Sequence, residues 1–106
     1  MNDLFSQLEQ RGTPPALALS DAASGLRAFL VIDSLVLGPA AGGIRTRAYP
    51  SEAEALADAS RLARAMTLKN SLAGLDAGGG KAVVLVHPEL DRERAFEQLG
   101  RYVEEL

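Results

Sequence analysis

Hydrophobic and polar positions along this chain change their period from stretch to stretch, and each period names an element. Leu4, Phe5 and Leu8 recur at helical spacing, with Asn2 or Asp3 as a cap and Gly12 as a stop, which predicts a short helix over Asp3 to Gln10. Pro14-Pro15 ends it. Ala16 to Leu19 then reads as a strand leading into a turn over Asp21 to Gly25. The stretch Leu26 to Asp33 begins with alternation and ends apolar on both faces, as a strand inside a sheet does. Two strands joined by so short a turn predict an antiparallel pair.

Leu37 to Gly43, LGPAAGG, reads as a breaker-rich loop, and Ile44 to Tyr49 as a short strand with Arg45 and Arg47 on one face. Ser51 and Glu54 have the spacing of a capping box. The helix they open is rich in Ala, Leu, Glu and Arg, all good helix formers. Its apolar stripe is Leu56, Ala59, Ala63 and Met66 with Leu62 alongside, while Glu52, Asp58, Arg61 and Arg64 lie mostly away from it. A glycine-rich crossing follows, then an apolar, β-branched strand over Ala82 to Val86. Asp91 caps a last helix with the stripe Phe96, Leu99, Tyr102 and Val103, joined by Ala95. Strand, helix and parallel strand in succession predict an α/β or α+β class with a mixed sheet.

Length and composition narrow the class. A chain of 106 residues makes one domain, residues 1–106, with a real core. Its net charge of −3 and low aromatic content argue against a nucleic-acid partner or an anionic membrane surface. The absence of cysteine excludes disulfides and thiolate metal sites and fits a cytoplasmic setting. No apolar run reaches the ~18 residues that span a bilayer, and the N-terminus lacks the pattern of a signal peptide.

The candidate chemistry lies between Met66 and Val86, MTLKNSLAGLDAGGGKAVVLV. The chain has two lysines and nine arginines, and both lysines, Lys69 and Lys81, flank this crossing. Gly74, Gly78, Gly79 and Gly80 leave room for a ligand or another segment to come close. Two ammonium groups beside an open concavity suit a small carboxylate; the plain alternative is a pair of surface lysines beside a turn. A phosphate loop is excluded, because Leu75 and Ala82 stand where that motif needs Gly and Ser or Thr. No G-x-G-x-x-G occurs, so a dinucleotide fingerprint is missing. His87, the single histidine, has no companion at ligand spacing and reads as structural or solvated.

The segments SGLRAFLVID, LGPAAGGIR, MTLKN, AGLDAGGGKAVV and FEQLGRYVEEL, in this order and spacing from about Leu4 to Leu106, resemble the N-terminal domain of the leucine/phenylalanine/valine branch of the amino-acid dehydrogenases, relatives of glutamate dehydrogenase. The resemblance implies an α/β substrate-binding and oligomerisation domain that works beside a Rossmann domain holding NAD. It further implies that Lys69 pairs with the substrate α-carboxylate and that Lys81 is the catalytic lysine, assisting water attack on the imino acid. Gly42 and Gly43 match the glycine pair lying against the substrate. Ala41 and Met66 fall where the family lines the side-chain pocket. Ala in place of Leu at position 41 leaves a roomier wall, which points to a bulky or aromatic L-amino acid.

The departures matter as much. The family's catalytic aspartate and its NAD domain belong to segments expected beyond Leu106, so the chain alone is expected to be inactive. Hydride transfer needs both walls of a cleft. Two functions follow. One is the substrate half of a dehydrogenase, working with a separate NAD-binding chain or left by truncation. The other is a freestanding, non-catalytic, homo-oligomeric module that binds an amino or keto acid as sensor or scaffold.

Overall fold

The structure is a computed structural model that describes residue 5 and residues 15–36, 38 and 40–105, with only the backbone at 40 and 41. The helix expected over Asp3 to Gln10 lies outside the described residues apart from Phe5. Strands β1 (Ala16–Asp21) and β2 (Leu26–Ile32) form the expected antiparallel pair, in register from Ala16 opposite Val31 to Asp21 opposite Leu26. Two further strands, β3 (Ala40–Ala41) and β4 (Ile44–Arg47), precede helix α1 (Glu52–Leu72). Strand β5 (Gly78–Leu85) and helix α2 (Arg92–Glu104) complete the order.

The centre of the sheet is β5. It pairs antiparallel with β2 on one side; on the other, β3 and β4 lie end to end along it, both parallel. The unit β4–α1–β5 is the strand–helix–strand crossover that the sequence predicts. Among the described residues each face of the sheet carries one helix. Phe29, Val31 and Val83 meet Ala55, Leu56, Ala59 and Ala63 of α1. Leu26, Ala28 and Val84 meet Ala95 and Leu99 of α2. Val83 and Val84 are neighbours in sequence and point to opposite faces, yet both are 0% exposed. This is why the strand is apolar at every position from Ala82.

Caps close the helices as their residues require. The Ser51 hydroxyl accepts from the Glu54 amide at 3.2 Å, and the Asp91 carboxylate accepts from the Arg94 amide at 3.3 Å. At the far end of α1, Gly74 takes the left-handed conformation with φ +73°, while the Leu75 amide donates to the Asn70 carbonyl and the Gly74 amide to that of Ser71. That pair of bonds is a Schellman closure, and it aims the chain back toward the sheet.

Three expectations need correction. The loop predicted over Leu37 to Gly43 contains β3, held by pairing of Ala40 and Ala41 with Gly78 and Gly79. The glycine-rich crossing is shorter than its composition suggests, because Gly78 to Gly80 are buried residues of β5. A Cβ on Gly78 would stand 1.6 Å from the Ser34 carbonyl oxygen, so the glycines admit other backbone segments to this strand. On α2 the buried face is narrower than the apolar stripe, since Phe96 is 41% and Val103 47% exposed.

Candidate functional site

Helix α1 and β5 bring the candidate residues to one end of the sheet. The first half of α1 lies over the C-terminal end of β4, where Asp58 accepts a hydrogen bond from the Tyr49 hydroxyl at 2.6 Å and one from Arg45 at 3.3 Å. The second half crosses the N-terminal end of β5. There a Cβ on Gly79 would stand 2.4 Å from the Ala63 carbonyl oxygen, and the Asn70 amide group donates to the Gly78 carbonyl at 2.7 Å. The last turn of α1 therefore sits above the strand segment that leads into Lys81.

Strand alternation puts Lys81 on the same face as Gly79 and Val83, the face that α1 covers. Lys81 is half-buried, and its Nζ would lie 3.2 Å from a Cβ on Gly43. Register supports this contact, because the Ala82 amide donates to the Gly43 carbonyl at 3.1 Å. Gly42 is equally constrained: a Cβ there would fall 1.6 Å from the Gly80 carbonyl oxygen. Gly42 and Gly43 thus form a side-chain-free step between β3 and β4, directly beside the Lys81 ammonium.

Lys69 lies on the last turn of α1 and is exposed; Met66, one turn earlier, is half-buried. Asp58, Leu62, Met66 and Lys69 follow at intervals of four, four and three and so share one flank of the helix. Asp58 is tied to Arg45 of β4, so this flank overlooks the β3–β4 edge of the sheet, where Gly42 and Gly43 lie. Among the described residues neither lysine side chain has an ion-pair or hydrogen-bond partner. Ala41 stands in β3, and its side chain is outside the described residues. An open concavity of about 790 Å³ gathers Gly42, Gly43 and Lys81 with Leu30, Ile32 and Val103. Its apolar walls belong to the α2 side of the sheet, so it does not include Lys69 or Met66.

Around these residues lies a polar framework that apolar periodicity does not reveal. Asp58, expected on the solvated face, is only 10% exposed at its side chain and also binds Arg61. Burial opposes its charged form, but hydrogen bonds from Tyr49 and Arg61 outweigh that and hold its carboxyl below the usual carboxylate range. Burial, together with the bond to Asp58, pushes the Tyr49 hydroxyl up to about 12. On the opposite flank of α1 the Thr67 hydroxyl donates to Asp33 at 2.7 Å. Asn70 is 6% exposed at the stripe position seven residues after Ala63; its spacing, rather than its polarity, was the available signal. His87 is structural, bonded through Nε2 to the Gly25 carbonyl and through Nδ1 to Glu89.

The residues present do not fit a dinucleotide. The space at Gly78 and Gly79 is filled by Ser34, Ala63 and Thr67 from neighbouring elements, and a strand rather than a helix N-terminus follows the run. Among the described residues no three His, Asp or Glu side chains are placed to share a metal ion, and no helix is long and apolar enough to cross a membrane.

Comparison with known proteins agrees with this fold. Residues 16–106 match the family described as Glu/Leu/Phe/Val dehydrogenase, dimerisation domain. A leucine dehydrogenase of Geobacillus stearothermophilus is 46% identical over 105 residues, 98% of this chain and 29% of that protein. A valine dehydrogenase of Streptomyces coelicolor is 48% identical over 99 residues, 92% of this chain and 27% of that protein. Among solved structures, an L-tryptophan dehydrogenase from Nostoc punctiforme superposes with a TM-score of 0.84 at 37% identity, covering 97% of this chain and 31% of that one. The chain spans less than a third of the length of these relatives.

Proposed function

The chain belongs to the Glu/Leu/Phe/Val dehydrogenase family through its dimerisation domain, and from that premise we propose that it forms the substrate-carboxylate wall of an amino-acid dehydrogenase site. The observation that carries this reading is the pair of lysines at one end of the sheet. Neither has an anionic partner among the described residues, and the Lys81 ammonium lies against the glycine step at Gly43.

In this reading Lys69 holds the α-carboxylate as a point charge, and Lys81 accepts a proton from the water that attacks the imino acid. Gly42 and Gly43 let the substrate backbone come close to the sheet. Met66 and Ala41 bound its side chain, with a hydrophobic or aromatic L-amino acid and its 2-keto acid as the substrate pair. NAD would be held by residues other than the described ones, and no step is assigned to it. The protein works in the cytoplasm as a homo-oligomer, supported by the family's dimerisation role and by apolar side chains such as Leu17 and Ile44 left at the surface.

Calorimetry tests the reading. The chain should bind a hydrophobic 2-keto acid with a dissociation constant of about a millimolar, and Lys69→Ala should weaken this about tenfold. Equal heats from the two proteins would count against a ligand role for Lys69.

A further inference from the structure

The buried carboxamide of Asn70 stands between the two lysines in the fold, one residue after Lys69 and hydrogen-bonded to the carbonyl of Gly78, three residues before Lys81. Building on the two-lysine reading, we propose that Asn70 is a positioning residue that sets the spacing between the helix turn carrying Lys69 and the strand segment carrying Lys81.

The argument is geometric. A helix packed on a sheet through small residues is free to slide or roll unless directional contacts stop it. Over Gly79 the contact is made by the main chain of Ala63 and Thr67 and by the Thr67 hydroxyl, pressed onto the glycine. Such a contact fixes how closely α1 approaches β5, while its azimuth is left to directional bonds. At the lysine end, Thr67 to Asp33 ties α1 to the segment after β2, and Asn70 to Gly78 ties it to β5 itself. Of these two, only the Asn70 bond joins the two lysine-bearing elements directly. It is 2.7 Å long on a side chain that is 6% exposed, where water cannot replace a lost partner. The same residue closes the helix, since its own carbonyl accepts from Leu75 and turns the chain toward Gly78. Both ends of Asn70 therefore act on the path from one lysine to the other.

The test uses the fact that this chain has two lysines. Lysine labelled at Cε gives two NMR signals, assigned with Lys69→Arg and Lys81→Arg. Three substitutions probe the bond. Asn70→Leu removes the donor without adding charge. Asn70→Asp keeps the shape, and its carboxylate regains a donating O–H when the pH is lowered to about 4. Asn70→Ser keeps a hydroxyl donor and serves if the first two fail to fold by circular dichroism. Leu26→Ala, a core truncation on the α2 side, controls for general loosening. Lys69 adjoins the substituted residue, so Lys81 decides.

We expect its signal to move in Asn70→Leu, and in Asn70→Asp at neutral pH. Acid should restore it in Asn70→Asp while the unsubstituted chain shows no matching change. Leu26→Ala should leave it in place. Binding of a 2-keto acid should weaken about tenfold in parallel, a loss to be expected for a buried bond left unmade. A Lys81 signal unmoved by all the Asn70 substitutions, or moved as far by Leu26→Ala, overturns the proposal. If the unsubstituted chain binds no keto acid but Lys81 still follows Asn70, the positioning role stands and the binding reading falls.

Discussion

Gly79 and Thr67 are in backbone contact: a Cβ on the glycine would stand 2.2 Å from the Thr67 amide nitrogen. Such an atom has nowhere to go, because its nearest neighbours are helix main chain at Ala63 and Thr67 together with the Thr67 hydroxyl. Gly79→Ala should therefore destabilise the fold by about 2–3 kcal/mol, the range for overpacking a rigid site. Gly100 is the counterpart. It lies inside α2 with nothing within 4 Å of an added methyl, so Gly100→Ala should stabilise by about 0.5–1 kcal/mol. Urea unfolding of the two variants checks both signs.

The Tyr49–Asp58 bond predicts how stability follows pH. Asp58 sits below the ordinary carboxylate range in the folded chain, so its contribution is present above that range and is lost as pH falls through the folded value. Tyr49 acts at the other limit. Its hydroxyl lies at about 12 against an ordinary 10.0, so its contribution is whole below the ordinary value and fades as pH rises toward the folded one. Tyr49→Phe should cost about 1–2 kcal/mol at neutral pH and flatten the alkaline fall. Thermal unfolding across pH measures it; an unchanged alkaline limb would remove Tyr49 from the account.

Burial on α2 separates residues that look alike in the sequence. Leu99 is 1% exposed and packs with Leu26 and Val84, whereas Val103, from the same stripe, is 47% exposed. Leu99→Ala should cost about 2–4 kcal/mol and Val103→Ala within about 0.5 kcal/mol. Equal losses would mean that Val103 is covered in solution.

Self-association follows from the family role. Sedimentation at micromolar concentration should show a species heavier than one 106-residue chain, and a clean monomer would contradict it.

Elements whose residues argue locally were legible in the sequence. Ser51 and Asp91 announce their helices through short-range capping, and Ala28 to Ile32 and Ala82 to Leu85 announce buried strands through unbroken apolar runs. The β1–β2 pairing followed from turn length and the β4–β5 pairing from the crossover rule. What stayed hidden depends on distant partners. Gly78 to Gly80 look like a loop because glycine has no strand preference, and they are a strand because Ala40, Ala41 and Ile32 pair with them while Ser34, Ala63 and Thr67 press on Gly78 and Gly79. At the candidate site, rarity singled out Lys69 and Lys81. The polar residues that hold their supports, Asn70, Thr67 and Asp58, occupy positions that periodicity assigns to the core or to solvent.

The central claim is that Lys69 and Lys81 serve one ligand, and a lysine-resolved NMR titration with a hydrophobic 2-keto acid tests it most directly. The account predicts that both Cε signals move together and saturate along one binding curve. Movement of one signal alone, or two curves with different midpoints, would contradict it.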